Sequence, residues 1–374
     1  MKIRPLNQAD LIQARQLWEA CFHDHPAFLD WYFQTRFQPE DGLGIFQGQR
    51  LLCDLHLAPR QIKIRNKIYP SAYLIALATD PAFRRLGLAK NLLTYALRHL
   101  AAHRRFFTFL LPFHTMFYTR LGWGIYADHR LYLLPKGTFS GHSLSKALHG
   151  HDQSDLDFYK NDADQKLLEG IYHRAMESRD GALVRTEQDW TGLLLDLHLE
   201  HGRTWLAATN PKADPQGYAM VLPPSPATHG RPLLRELAYL KPHQTMGLAQ
   251  LAPYIPPGTC AQFLGRITNV RSALEALPYP LLTAELVMEI IDPLLPENSG
   301  LYLLNLTKGR MHVSRTMGLK PAVHCTISAL AALATGSCSP QELVNTGEIA
   351  LDDDLLPVLD ALFPPTTNFI NEYF

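Results

Sequence analysis

The segment from Tyr73 to Leu100 constrains the fold of this chain more than any other stretch. An apolar run ending in YLIALAT is followed by the turn DPAFRRLG and then by apolar residues at helical spacing. The run before the turn predicts a buried strand, and the spacing after it predicts a helix that ends near Ala102. A strand that leads into one long helix, with further strands on either side, indicates a mixed α/β sheet.

The turn between this strand and helix has the features of an anion site. At a helix start the backbone N–H groups have no intrahelical partner, and the macrodipole adds partial positive charge. In RRLGLA, residues 84–89, Gly87 and Ala89 let another molecule approach the backbone, and the two arginines add charge. The pattern predicts a pyrophosphate cradle. The alternative interpretation is that the arginines are solvated and that Gly87 is a packing glycine.

Composition and missing motifs exclude several other classes. The sequence contains neither GxGxxG nor GxxxxGK[ST], which argues against dinucleotide-binding and P-loop folds. Lys plus Arg equals Asp plus Glu at 35 each, so no excess of positive charge favours nucleic acid or an anionic membrane. The five cysteines are scattered without a CxxC, and no apolar leader or membrane span is visible. We therefore expect a cytoplasmic protein without a disulfide framework or a metal site.

The organisation of the 374 residues predicts three sections. Residues 1–135 alternate helix and strand patterns, with a helix from Asp10, strands joined by turns at QGQ and RNK, and a short helix in TMFYTRLGW that runs into a strand. Residues 136–155 are predicted to be a connector. The middle section, 136–276, repeats the alternation more weakly and includes a predicted helix near HQTMGLAQLAPYI. Residues 277–374 have period-two strands followed by helices.

The ordered motifs of the first section resemble the GNAT superfamily of acyl-CoA-dependent N-acetyltransferases. Its signature R/Q-x-x-G-x-G/A loop follows the fourth strand and matches RRLGLA, with Ala89 in the last position. The resemblance implies that the backbone of the preceding strand end binds the pantetheine arm and that the loop and helix start hold the pyrophosphate. The implied donor-binding residues are Leu77, Ala78, Thr79, Arg84, Arg85, Leu86, Gly87, Leu88, Ala89 and Lys90.

The whole chain resembles the enhanced-intracellular-survival (Eis) family of GNAT N-acetyltransferases. LVRTEQDWTGLL, GYAMV and GRITNVRSALEALPYP are similar to a second, degenerate GNAT domain, and LTAELVMEIIDPLLPENSGLYLL onward is similar to a sterol-carrier-protein fold. The implied fold class is α/β (α+β), with two tandem GNAT-fold mixed sheets and a C-terminal sterol-carrier-like α+β domain. The implied domains are residues 1–135, 136–276 and 277–374, of which only the first binds acetyl-CoA. The resemblance also implies a homo-hexamer.

The resemblance assigns roles in attack by an amine on a thioester. Tyr118, within FYTRLGW, would protonate the leaving thiolate, and Phe113 and His114 would flank the thioester. An unperturbed tyrosine, with a pKa of about 10, keeps its proton at neutral pH. The main-chain carboxylate of the last residue, Phe374, would orient the ammonium and pass its proton to water, with the side chain of Glu372 as the alternative carboxylate.

Several assignments stay open at the level of sequence. Asp24 and Trp31 are the candidate contacts to the acceptor, a small-molecule or lysine amine, although the aromatic residues of this region could equally form core. Histidine pairs such as His149 and His151 lack a carboxylate at a ligand position, so no metal is expected. Two non-catalytic readings compete with the enzyme: a lipid-binding module in the C-terminal section, or a sensor of acyl-CoA.

Overall fold

The chain divides into two compact units, each described here by itself. The first comprises Met1–Asp128, Arg179–Val184 and Gln262–Phe374, and the second comprises His129–Ser178 and Arg185–Ala261. The computed structural model describes residues 1–22, 24–128, 131–139, 141–149, 156–160, 164–240, 251–255, 262–370 and 372. Among these residues, no helix combines the length and the apolar character needed to cross a membrane.

The first unit contains an eight-stranded mixed sheet. Its neighbouring strands are antiparallel except for one parallel pair, in which Tyr73 is the partner of Phe109. The two long central strands form a hairpin whose turn residues Arg65 and Asn66 both have positive φ. In spatial order the strands are β1 (Lys2–Pro5), β2 (Gly42–Gln47), β3 (Arg50–Ile64), β4 (Lys67–Thr79), β5 (Phe107–Leu110), β14 (Gln262–Ile267) and β6 (Gly124–Asp128), with β9 (Leu183–Val184) paired to β3.

Strand β14 joins this sheet from far along the sequence. It lies between β5 and β6, and Leu264 is paired with Leu110 on one side and Ile125 on the other. The sequence pattern predicts residues 262–276 as part of the middle section, because local patterns do not reveal which distant strands a strand pairs with. The boundaries of the two compact units therefore differ from those of the three predicted sections.

Helices cover both faces of the sheet. The helix predicted to end near Ala102 is confirmed as α3 (Leu88–Ala102), and its buried leucines pack in one apolar cluster with Leu52 and Leu55 of β3. Trp18 and Tyr32 belong to a second cluster that also contains Tyr73 and Phe109. Other helical segments of this region are α1 (Leu11–Cys21), α2 (Pro26–Trp31), a π-helical turn (Tyr32–Arg36) and α4 (Thr115–Thr119).

The second unit is built on a six-stranded antiparallel sheet. The predicted connector is wrong in part, because a helix with buried Leu144 and Leu148 lies within it. Residues 243–250 of the helix predicted near HQTMGLAQLAPYI lie outside the described residues, and 252–254 form a strand instead. The elements are β7 (Leu131–Leu133), α5 (Gly141–His149), β8 (Asp157–Lys160), α6 (Gln165–Met176), α7 (Glu187–Leu199), β10 (Arg203–Ala208), β11 (Gly217–Leu222), β12 (Leu233–Tyr239) and β13 (Ala252–Tyr254).

The C-terminal part of the first unit carries a five-stranded sheet. Its strand and helix predictions are confirmed, and its parallel pair joins Met288 to Val323. The apolar helix after that pair buries Leu330 and Leu333 in the larger core cluster. The elements are α8 (Val270–Ala276), β15 (Ala284–Ile291), β16 (Gly300–Thr307), β17 (Arg310–Arg315), β18 (Val323–Thr326), α9 (Ile327–Thr335), α10 (Pro340–Asn345), β19 (Ile349–Leu351) and α11 (Leu356–Leu362).

Candidate active site

The first sheet opens where its two parallel strands part. Tyr73 and Phe109 are partners across β4 and β5, but β5 ends one residue later, at Leu110, whereas β4 continues to Thr79. The last part of β4 therefore extends past its parallel neighbour. Backbone groups on an uncovered strand edge can bind an extended ligand as another strand would.

A β-bulge sits in this extended part of β4. The register with β3 shifts between Asp54 and His56, and Ala76 has a φ of 54°. Bulges re-aim backbone groups and are frequent next to active sites. Past the bulge the N–H of Asp80 donates to the carbonyl of Leu52, so by antiparallel alternation the N–H of Thr79 faces away from β3.

The turn after β4 leaves a helix N-terminus uncapped and exposed. Gly87 is the N-cap of α3 with a φ of 78°, no side chain caps the first turn, and a Cβ at this glycine would meet nothing within 4 Å. Leu86 is 60% exposed, and Arg85 is also exposed. Arg84 bends back, because its Nε donates to the carbonyl of Thr79 at 3.3 Å. The predicted cradle is open to solvent.

Tyr118 lies beside the end of β4. Its ring packs on the same apolar cluster as Leu77 and Phe83, and it meets Trp123 edge to face with 5.9 Å between centroids. Burial, with Cys53 as a second cause, raises the pKa of the Tyr118 phenol. The Cys53 thiol is 3.3 Å from the hydroxyl of Thr79. The structure thus brings Tyr118 together with the strand end named in the sequence analysis.

The two other residues predicted near the thioester lie at the start of α4. His114 is the N-cap residue of this helix, and its carbonyl accepts from the N–H of Phe117 at 3.1 Å. Phe113 is 62% exposed and its ring meets that of His114 edge to face. Both residues are therefore on the surface, within a short connection from β5 to Tyr118.

Glu372, near the end of the sequence, is buried beside β3. Glu372 is 7% exposed, with Oε2 3.2 Å from Nε of Arg60 and Oε1 3.8 Å from Nη2 of Arg36. Burial, with Glu372 as the next cause, raises the pKa of Tyr73, and Tyr118 acts in the same direction. Glu372 and Tyr118 therefore both act electrostatically on one buried tyrosine. Phe374 lies outside the described residues.

The two predicted acceptor contacts differ in their surroundings. Asp24 is exposed, and its Oδ2 accepts from Nε1 of Trp18 at 2.8 Å. Trp31 is 4% exposed in the larger core cluster, and its indole N–H has no partner among the described residues. The alternative that aromatic residues of this region form core thus applies to Trp31, whose role in acceptor binding stays a prediction.

Sequence reasoning missed a row of polar residues on β3. Asp54, His56 and Arg60 occupy even-numbered positions of LLCDLHLAPR, so they point to one face of the sheet. Polar residues at alternate positions of an otherwise apolar strand were the available signal. Within the described ranges, no three His, Cys, Asp or Glu side chains are grouped as a metal ion would require.

Comparison with known proteins gives a matching domain at each end of the chain. Residues 2–126 match the acetyltransferase (GNAT) domain, and residues 270–371 match the sterol carrier protein domain. No curated protein sequence matches at a significant level.

Solved structures share the fold over the full length. A GCN5-related N-acetyltransferase from Anabaena variabilis has a TM-score of 0.80 at 21% identity, with 100% of both chains covered. Eis1 from Mycobacterium abscessus has a TM-score of 0.75 at 19% identity, again with 100% of both chains covered. A probable N-acyltransferase from Enterococcus faecalis has a TM-score of 0.78 at 16% identity, covering 100% of this chain and 99% of the other.

Proposed function

We propose that this chain, which carries a GNAT acetyltransferase domain and a C-terminal sterol carrier protein domain, transfers an acetyl group from acetyl-CoA to a primary amine within a ternary complex. The observation that carries the proposal is the juxtaposition of three features: the extended edge of β4, the uncapped start of α3 and the half-buried Tyr118. Together they supply a backbone edge, an anion site and a proton donor to one substrate.

The donor lies, in this proposal, along β4 and over the following turn. Leu77, Ala78 and Thr79 offer backbone groups to the pantetheine arm. The N–H groups at the start of α3 and the exposed Arg85 offer hydrogen bonds and positive charge to the pyrophosphate. Arg84 contributes by holding the strand end to the turn rather than by reaching outward. Phe113 and His114 cover the thioester from the start of α4.

Tyr118 acts as the acid. The amine nitrogen attacks the thioester carbonyl, the C–N bond forms and the C–S bond breaks. The phenol then gives its proton to the thiolate sulfur. Because burial raises its pKa, Tyr118 holds this proton throughout the neutral range. Backbone N–H groups at the bulge of β4 are placed to stabilise the oxyanion.

The carboxylate of Phe374 orients the incoming ammonium. Phe374 follows Glu372 by two positions, a distance between Cα atoms of at most about 7 Å along the chain. Glu372 itself is paired with Arg36 and Arg60, which leaves the main-chain carboxylate as the better candidate for the amine. A peptide tag added after Phe374 should abolish turnover. Full activity of the tagged protein, with loss in Glu372→Ala, would assign the role to Glu372.

The remaining sections have supporting roles in the proposal. The middle section, 136–276, is a degenerate GNAT-like domain without a counterpart of RRLGLA, and the last section, 277–374, presents the chain terminus. The assembly is a homo-hexamer. Size-exclusion chromatography with light scattering tests the hexamer, and native mass spectrometry for co-purified lipid tests the non-catalytic alternative.

The decisive experiment is turnover of acetyl-CoA with a panel of primary amines by the wild type and by Tyr118→Phe. We expect kcat to fall by about 100-fold in the variant, within the range of acid catalysis, with the Kd of acetyl-CoA unchanged in a calorimetric titration. Tyr95→Phe, a change at a more exposed tyrosine of α3, is the matched control. Equal kcat in Tyr118→Phe and wild type would remove the acid role, and acetyl-CoA binding without turnover of any amine would favour the sensor.

A further inference from the structure

One buried cluster of titratable side chains has no role in the scheme above. The hydroxyl of Tyr32 is 3.0 Å from Nδ1 of His56, and Nε2 of His56 is 3.5 Å from Oδ2 of Asp54. None of the three residues is more than 2% exposed. The ring of Phe37 stacks on the imidazole with 3.9 Å between centroids. We name these residues the Asp54–His56–Tyr32 cluster.

Two polar atoms of the cluster are unsatisfied. Oδ1 of Asp54 and Nε2 of His56 are buried and have no hydrogen-bond partner among the described residues. Most buried polar atoms in proteins are paired, and an unpaired one destabilises the fold. Two such atoms on neighbouring side chains indicate a site that binds a further polar group.

The cluster lies across β4 from the open strand edge. Asp54 is the partner of Ala78, and the bulge of β4 falls between the partners of Asp54 and His56. Arg60 is on the same face of β3 and holds Glu372 near the chain terminus. The face is the one covered by the π-helical turn, whereas α3 packs on the other.

The π-helical turn contacts both the cluster and Glu372. The π-helical turn begins at Tyr32, which reaches His56, and ends at Arg36, which reaches Glu372. Turns of this kind are rare and are often found at functional sites. The cluster is therefore supported by the same element as the proposed acceptor carboxylate.

We propose that His56, oriented by Tyr32 and Asp54, takes up the proton that the acceptor ammonium loses before attack, an inference that rests on the proposed function. The ammonium gives one proton to Nε2, directly or through one water, and the freed lone pair forms the C–N bond. The C–S bond breaks and Tyr118 protonates the sulfur. The second proton leaving nitrogen restores the Tyr118 hydroxyl, and the imidazolium later releases its proton to solvent.

His56 is better suited than the main-chain carboxylate of Phe374 to act as the base. A free α-carboxyl has a pKa of about 3.5 and accepts a proton poorly at neutral pH. Burial raises the pKa of Asp54, and His56 opposes that rise. The other charged groups facing the cluster are Arg36, Arg60 and Asp41, each of which acts on Tyr32. The two arginines are paired with Glu372, which reduces their opposition to an imidazolium.

The test compares two acceptors that differ in charge but little in size. Ethylamine is protonated at neutral pH and needs a base, whereas 2,2,2-trifluoroethylamine is largely unprotonated. In His56→Gln we expect kcat/KM with acetyl-CoA to fall by about 100-fold for ethylamine, with a much smaller loss for the fluorinated amine. The ethylamine defect should also shrink as pH rises. His103→Gln, a change at an exposed histidine after α3, should leave both amines unaffected.

The outcomes separate this inference from the function it rests on. Equal losses for the two amines would mean a purely structural cluster, and unchanged kinetics would exclude His56; either result overturns the inference. If neither ethylamine nor any other amine is acetylated by the wild type, the proposed function itself fails. Should His56→Gln not bind acetyl-CoA in calorimetry, Tyr32→Phe provides the same comparison. It retains the ring and removes only the hydroxyl, and we expect a loss of about 10-fold confined to ethylamine.

Discussion

Replacing Asp292 should destabilise the protein far more than replacing Glu297, although each carboxylate lies 2.6 Å from an arginine. Asp292 is paired with Arg266, and both side chains are 0% exposed. Glu297 is paired with Arg98, and their side chains are 47% and 55% exposed. The two pairs differ in their access to water and in the further hydrogen bonds that Asp292 accepts, and Glu297→Gln is the control for Asp292→Asn in which a carboxylate paired with arginine is neutralised at the surface.

The expected magnitude follows from the contacts that each carboxylate makes. Oδ1 of Asp292 accepts from Arg266 and from the N–H groups of Leu294 and Leu295, and Oδ2 accepts from Asn298. Removing one partner of a buried ion pair costs about 3–5 kcal/mol, because the other charge remains buried. We expect about 3 kcal/mol for the isosteric Asp292→Asn. An exposed pair contributes about 0–1 kcal/mol, so Glu297→Gln should change little.

Urea unfolding followed by tryptophan fluorescence measures this difference. Trp123 is buried two residues after Leu121, whose carbonyl accepts from Arg266 at 2.6 Å. With a slope of about 3 kcal/mol per M, Asp292→Asn should lower the midpoint of the first transition by about 1 M. Equal midpoint shifts in the two variants would refute the reasoning, since burial would then not decide the strength of these pairs. The double variant Arg266→Met with Asp292→Asn should recover part of the loss, because no charge is left buried.

Two further predictions concern acetyl-CoA binding at the turn before α3 and the loss of protein stability at low pH. Gly87→Val should raise the Kd of acetyl-CoA by about 10-fold in calorimetry, because Gly87 has a φ of 78° and its Cβ position is open to a ligand; Gly48→Val, at a φ of 62° with equally open surroundings, is the control that should leave the Kd unchanged. Asp10, whose pKa is lowered chiefly by its hydrogen bond from Arg4, contributes stability above its ordinary value of 3.8 and loses it as pH falls further. Thermal denaturation should thus show Asp10→Asn less stable than wild type at neutral pH and nearly equal to it at pH about 2, and a constant difference across pH would contradict this linkage.

Local patterns predicted the elements that carry the proposed donor site. The strand ending in YLIALAT, the turn RRLGLA and the helix to Ala102 all occur where the spacing indicates, because each depends on neighbouring residues alone. The prediction of a connector after Lys136 is wrong for α5, because the Gly, Ser and His residues there are typical of a loop. Leu144 and Leu148, one helical turn apart, are the local sign of an amphipathic helix. In this segment, burial of the two leucines outweighs the low helix propensity of the Gly, Ser and His residues.

Features that depend on distant contacts could not be read in this way. That β14 completes the sheet between β5 and β6 is decided by pairing across more than a hundred residues, which no local window contains. The row of Asp54, His56 and Arg60 was visible as an alternation, but its meaning depends on Tyr32 and Glu372 arriving from elsewhere in the chain. The sequence likewise does not show which aromatic residues of this region, Trp31 among them, are buried.

The placement of the proposed acid is itself a long-range property. Gly122 follows Tyr118 by four residues and has a φ of 83°, and a Cβ there would lie 2.5 Å from Cγ2 of Ile327, at the start of α9. A Cβ at Gly124 would lie 2.7 Å from the carbonyl oxygen of Ser328. The glycines of YTRLGWG are thus required by close packing against the C-terminal section. The same section carries Glu372, which is paired with Arg60 of β3, so the C-terminal section both packs against the turn after Tyr118 and places a carboxylate beside the first sheet.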